Sequence, residues 1–171
     1  MNLEEIEKLI EDIPDFPQEG ILFKNITPIL GHPEAFQSLA KIIARSLPEG
    51  TEKIVAMESR GFILGAAVVQ HFPAGLVLVR KPGKLPGDVL SYSYDLEYGT
   101  DTLQVRRADL KRDEKVVILD DVLATGGTAQ ATEHLCRELG TEVLGFRFLL
   151  EIDFLKGKKK LKAPVQSLMH C

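Results

Sequence analysis

Residues Val116–Thr128 read VVILDDVLATGGT, and the fold turns on how this stretch is read. Val116 to Leu119 is an unbroken aliphatic run, the pattern of a strand buried on both faces of a parallel sheet. The run ends in two carboxylates, Asp120 and Asp121. A turn through Gly126 and Gly127 then leads into a helix marked by Ala131, Leu135 and Leu139. In open α/β sheets, ligands sit beyond the carboxyl ends of the strands. This turn offers backbone N–H groups from Ala124 to Thr128 at a helix N-terminus, together with the hydroxyls of Thr125 and Thr128. That set of donors is a nest for a phosphate dianion. Two carboxylates beside a phosphate need donors to accept from, and adjacent ribose hydroxyls supply them. A plainer reading makes the acids helix caps beside an ordinary turn. Strand, acidic pair, threonines and glycines in one register favour a sugar phosphate instead.

Working outward, strands and helices alternate. Leu3, Ile6, Leu9 and Ile10 recur at helical spacing, so an amphipathic helix opens the sequence. Asp12 to Gly20 (DIPDFPQEG) reads as an ordered loop before the short apolar segment Ile21–Ile26. Pro33 suits the first turn of a second helix, striped by Phe36, Leu39, Ala40, Ile43 and Leu47. Ile54–Met57 and Leu76–Val79 read as buried strands. Phe62–Val69 between them is apolar almost all round, the pattern of a well-buried helix. Lys81–Gly87 (KPGKLPG) is a breaker-rich loop, and Val89–Leu96 with Thr102–Val105 predicts a hairpin flanking it. Val143–Leu150 is a further strand, and Lys156–Lys162 (KGKKKLK) reads as a solvated turn. The alternation predicts an α/β fold, a parallel sheet flanked by helices.

The length of 171 residues fits one domain with one sizeable core. Its 44% hydrophobic and 27% charged residues are an ordinary globular mix. A net charge of −4 argues against broad electrostatic binding to nucleic acid or to an anionic membrane, so a phosphate must be held by local features. There is no signal-peptide pattern, and no apolar run reaches the roughly 18–20 residues that cross a bilayer. Cys136 and Cys171 read as reduced thiols, which predicts a cytoplasmic protein. No histidine or cysteine cluster has metal-ligand spacing. Two rival nucleotide motifs are missing. Gly83-Lys84 and Gly157-Lys158 are not followed by Ser or Thr, and no GxGxxG follows a strand.

The apolar strand, acidic pair and TGGT turn resemble the signature of the type I phosphoribosyltransferases. FPQEGILFKNITPIL (16–30), ESRGFILGA (58–66), VRKPGKLPG (79–87), YDLEYG (94–99) and LLEIDFLKG (149–157) bring the sequence nearest the adenine-using branch. The resemblance implies a single type I phosphoribosyltransferase-like domain over 1–171. A hood segment with the N-terminal helix spans 1–32, a core with a flexible lid hairpin at 81–98 spans 33–150, and a C-terminal hood segment spans 151–171. It implies transfer of ribose 5-phosphate from phosphoribosyl pyrophosphate to adenine, giving AMP and pyrophosphate, by a homodimer. It also implies Mg²⁺ held mainly by the substrate, with no direct protein ligand.

Residue roles follow from the same resemblance. Glu58, Ser59 and Arg60 would meet the pyrophosphate, and arginine suits a forked contact with phosphate. Arg80, Lys81 and Lys84 would neutralise the leaving group. Glu97 would exchange a proton with adenine as N9 attacks the anomeric carbon, aided by a raised pKa under a closed lid. Tyr98 would position the loop or the substrate. Leu22, Phe23 and Lys24 would surround adenine, with the backbones of Leu22 and Lys24 reading its edge, and Ile152 would close the other face. Asn25 departs from the aspartate frequent at this position, which removes a charge near the base. Two alternatives stay open on sequence: a relative using a 6-oxo purine, and a non-enzymatic regulator that binds nucleotide as an effector.

Overall fold

The computed structural model describes residues 1–95 and 99–171. Leu96, Glu97 and Tyr98 lie outside the described residues, and with them the expected acid–base glutamate.

Helix α1 (Leu3–Glu7) begins at Asn2, whose side chain accepts from Glu5 N–H while Glu5 accepts from Asn2 N–H, a reciprocal cap. Strands β1 (Glu11–Ile13) and β2 (Phe23–Asn25) pair antiparallel and form a small ribbon. Helices α2 (Thr27–Gly31) and α3 (Pro33–Ser46) follow, and His32 Nδ1 accepts from Ala35 N–H to cap α3. Then come β3 (Lys53–Met57), α4 (Arg60–Val68) and β4 (Gly75–Val79). The predicted hairpin is β5 (Val89–Asp95) with β6 (Thr100–Arg106). The chain closes with β7 (Lys115–Leu123), α5 (Gly127–Glu138), β8 (Glu142–Glu151) and β9 (Val165–His170).

Among the described residues the main sheet has the order β4-β3-β7-β8-β9, and every pairing in it is parallel. The stretch Val116–Leu119 therefore lies in the central strand, as its aliphatic run predicts. Alternation sorts its side chains. Val116 and Ile118 face the layer holding α5 and the hairpin, while Val117 and Leu119 face the layer of α1 to α4. All four are fully buried. A slip of one residue would exchange the two faces, so packing fixes the register on which the acidic pair depends. The chain leaves β3 for β4 on one side, and β7 lies on β3's other side. That reversal between β3 and β7 is the topological switch point, where a crevice opens at the strand ends.

Three elements went unread in the sequence: β1, α2 and β9. Each is short, and β9 (VQSLMH) mixes polar and apolar residues as an edge strand does. Helix α4 also differs from expectation. Its Gly61, Leu64, Gly65 and Val68 are buried against the sheet, yet Ile63 stays 44% exposed. Only one face of α4 has the sheet to pack on.

Candidate active site

The crevice between β3 and β7 is a cavity of about 430 Å³. Leu22, Phe23 and Lys24 line one side, Glu58, Ser59 and Arg60 another, Asp120, Asp121 and Ala124 the floor, and Ile152 with Leu155 the far wall. A smaller cavity of about 100 Å³ adjoins it, lined by Asp120 and by Ala124 to Thr128. Residues drawn from four distant stretches of sequence thus converge at the crevice. Arg80, Lys81 and Lys84 stand outside the walls of both cavities.

The smaller cavity is the nest. Gly126 precedes α5 with φ +80°, the left-handed region, and no side chain caps the helix start. Its first-turn N–H groups are left for a ligand, with no acidic residue in that turn to compete. A Cβ on Gly126 would fall 2.5 Å from the Gly157 carbonyl oxygen. A Cβ on Gly157 would fall 2.1 Å from the Ala124 carbonyl oxygen. The two glycines are pressed together and set the curvature of the nest. Gly157 is buried although Lys158 to Lys160 beside it are exposed, so the solvated lysine turn hides one structural glycine. Its only sequence signal was a glycine interrupting that basic run.

Beside the nest, Asp120 Oδ1 accepts from Asp121 N–H at 2.9 Å. Asp121 is 4% exposed and pairs with the Arg60 guanidinium. Burial pushes the Asp120 carboxyl well above the usual carboxylate range, and the neighbouring Asp121 charge adds to this. Ionisation of Asp120 is thereby disfavoured. Gly61 allows this proximity, since a Cβ there would lie 2.9 Å from Asp120 Oδ1.

Arg60, expected at the pyrophosphate, thus links the two strand ends. Its Cζ also lies 5.5 Å from the centre of the Phe23 ring, with Phe16 edge-on to that ring at 5.1 Å. The Phe23 face assigned to adenine holds a guanidinium here. The Glu58–Ser59 peptide is cis. The Glu58 carboxylate faces protein donors: Arg80 Nε at 3.3 Å and Lys81 N–H at 2.9 Å. Arg80 also donates to the Lys84 carbonyl at 3.3 Å, while the Lys84 side chain is exposed.

In the small ribbon, β1 and β2 bring Asp12 opposite Lys24 and Glu11 opposite Asn25. Lys24 Nζ sits 2.6 Å from Asp12 Oδ1. Asn25 donates to Glu11 at 2.9 Å and accepts from the N–H and hydroxyl of Thr27 at 3.1 and 2.8 Å. An aspartate at 25 would face Glu11 directly, so the departure at this position has a local cause. The fold also gathers Glu151, Asp153 and His170, whose ligand-type atoms lie within 4.8 Å of one another, a cluster invisible in sequence. Each already has a structural partner: His170 pairs with Asp153 at 2.9 Å, and Glu151 accepts from Ser167 at 2.7 Å.

Residues 25–167 match the family model described as phosphoribosyl transferase domain. A protein of Geobacter metallireducens named adenine phosphoribosyltransferase is 50% identical over 160 residues, covering 93% of this chain and 94% of that one. This chain belongs to the adenine phosphoribosyltransferase family. Among family members of known structure, the enzyme from Thermoanaerobacter pseudethanolicus superposes with a TM-score of 0.96 at 45% identity, over 99% of this chain and 100% of the other. The Saccharomyces cerevisiae member, complexed with an imino-altritol bisphosphate and adenine, gives 0.90 at 37% identity over 97% of each chain.

Proposed function

We propose that this protein transfers the 5-phosphoribosyl group of phosphoribosyl pyrophosphate to N9 of adenine, forming AMP and pyrophosphate in purine salvage. One observation carries the reading: the acidic pair, Arg60, Leu22, Phe23 and Lys24 line one crevice at the switch point, and the nest adjoins it. The nest takes the 5-phosphate through the N–H groups and hydroxyls of Ala124 to Thr128. Asp120 and Asp121 take the ribose hydroxyls. Arg60, Arg80, Lys81 and Lys84 answer the pyrophosphate charge, and Ser59 offers its turn to the same group. Glu58, which was grouped with them, holds Arg80 and Lys81 in place.

In the hood, Leu22, Phe23, Lys24 and Ile152 enclose the base. A 6-oxo purine calls for a donor such as a lysine near O6. Lys24, the lysine lining this cavity among the described residues, is engaged by Asp12, which favours adenine. Glu97 is the group assigned to proton exchange at the base. Closure of the 81–98 segment would exclude water from a transition state with oxocarbenium character.

Mg²⁺ fits this site as a substrate-held ion. The donors within reach, Asp120 and Asp121, are hard oxygens, and Asp121 is already engaged by Arg60. The diphosphate and ribose oxygens of the donor would supply its ligands, and the ion would offset charge on the leaving pyrophosphate. Hood segments 1–32 and 151–171 and core 33–150 act as one unit. A homodimer suits the partly exposed apolar face of α4 around Ile63. No helix among the described residues is long and apolar enough to cross a membrane, and both cysteines are free, in keeping with a cytoplasmic enzyme. The direct test supplies donor, adenine and Mg²⁺ and follows both products. AMP and pyrophosphate should appear in equal amounts, and formation of neither would overturn the reading.

A further inference from the structure

Four side chains form one hydrogen-bonded string from the nest to the basic loop. Thr128 Oγ1 lies 3.2 Å from Tyr94 OH. Tyr94 OH donates to Asp101 Oδ2 at 3.4 Å, and Lys81 Nζ donates to the same oxygen at 2.8 Å. Tyr94 and Asp101 are cross-strand partners in the β5–β6 hairpin, so backbone register brings them together. Asp101 Oδ1 is held by Thr102 N–H at 2.8 Å. Glu58 fixes the Lys81 main chain, leaving its ammonium free to change partner.

Proton counting gives the string a direction. Tyr94 has one hydroxyl proton, and donating it to Asp101 leaves the Tyr94 oxygen to accept from Thr128. The one hydroxyl proton of Thr128 then points to Tyr94 and away from the nest. Asp101 thus engages Lys81 directly and Thr128 through Tyr94. These are one candidate donor for each end of phosphoribosyl pyrophosphate. The pair is self-consistent electrostatically: hydrogen bonding to Lys81 lowers the Asp101 carboxyl below its ordinary value, and Asp101 raises the Lys81 ammonium.

We propose that Asp101 is an internal stand-in for the donor's phosphates, holding Lys81 and Thr128 and releasing them when phosphoribosyl pyrophosphate binds. It takes Lys81 back as pyrophosphate leaves. The inference rests on the phosphoribosyl-transfer reading. It makes Asp101 a positioning residue that sets pyrophosphate affinity without touching the substrate. Lys81 is 56% exposed in this pair, so the exchange of partners costs little desolvation.

The test titrates pyrophosphate and ribose 5-phosphate, each with Mg²⁺, into the wild type, Asp101→Asn and Tyr94→Phe. Asp101→Asn keeps the shape and an acceptor for Thr102 N–H while freeing the ammonium. It should bind pyrophosphate about two- to fivefold more tightly at low salt, the range of an exposed ion pair, with the gain shrinking near 1 M salt. Tyr94→Phe removes the hydroxyl that joins Asp101 to Thr128 and keeps the Lys81–Asp101 pair. It should tighten ribose 5-phosphate and leave pyrophosphate as in the wild type. A merely structural Asp101 gives the opposite sign, so pyrophosphate binding to Asp101→Asn that is unchanged or weaker overturns the inference. A wild type that binds neither ligand overturns the transfer reading, and the inference with it.

Discussion

Replacing Gly157 by alanine adds one methyl group at a residue that lines neither cavity of the crevice. The added Cβ would sit 2.1 Å from the Ala124 carbonyl oxygen, 2.9 Å from Gly126 N and 3.0 Å from Thr125 C. A carbon and a carbonyl oxygen need a separation above about 3 Å, so the turn 124–126 and the segment at 157 must part by nearly 1 Å. Both sides are backbone, so no rotamer change relieves the contact. Overpacking of this kind costs roughly 1–3 kcal/mol in stability. The larger effect is on the nest, because a displacement near 1 Å of groups that position a substrate can cost about 100-fold in rate, roughly 2.7 kcal/mol. Steady-state kinetics with varied phosphoribosyl pyrophosphate should show kcat/KM down by that order, and titration should show weaker donor binding. Gly50→Ala is the control. It carries left-handed strain, at φ +81°, that Gly157 does not have, and its Cβ would meet nothing closer than 3.8 Å. It should lower stability by about 1–2 kcal/mol and leave kcat/KM alone. A Gly157→Ala enzyme with kcat/KM within twofold of the wild type would refute the claim that these two glycines shape the nest.

The other expectations concern charge and proton transfer. Asp120 titrates higher folded than unfolded, so the folded state binds more protons between the two values, and stability falls as pH rises through that window. Asp120→Asn should therefore melt higher than the wild type at pH 7, with a flatter pH profile above about pH 4, while losing donor affinity. A lower melting temperature at pH 7 would contradict the direction given for this carboxyl. Asn25→Asp sets two acids opposite each other in the hood ribbon and should cost about 0.2–1 kcal/mol, which Glu11→Gln should restore. A thermal-melt double-mutant cycle without coupling would remove that explanation for Asn25. Glu97→Gln should slow AMP formation at least tenfold with donor affinity kept, within the range for a lost general acid or base. Unchanged turnover would take the role away from Glu97.

Long local patterns were legible in the sequence, and partnerships across the fold were not. Val116–Leu119 announced a central strand because burial on both faces leaves no polar position to interrupt the run. The hairpin was legible from alternation on either side of a turn. The short β1 and α2 carry too few residues for a period to show. Arg60 looked like a free phosphate ligand because its partner Asp121 lies 61 residues away. Glu58 lines the crevice, as expected of the pyrophosphate site, and its partners Arg80 and Lys81 across the β3–β4 ends were not legible locally. Gly157 was hidden by the lysines around it. Asn25 became interpretable only when the β1–β2 register placed Glu11 opposite.

The central claim is that the hood selects adenine for a phosphoribosyl group held at the switch point. Its most direct measurement is a competition. The protein is incubated with phosphoribosyl pyrophosphate, Mg²⁺ and an equimolar mixture of adenine, hypoxanthine, guanine and xanthine, and the nucleotides formed are identified by mass. The account predicts AMP as the dominant product. IMP, GMP or XMP in excess of AMP, or no nucleotide while the donor still binds, would contradict it.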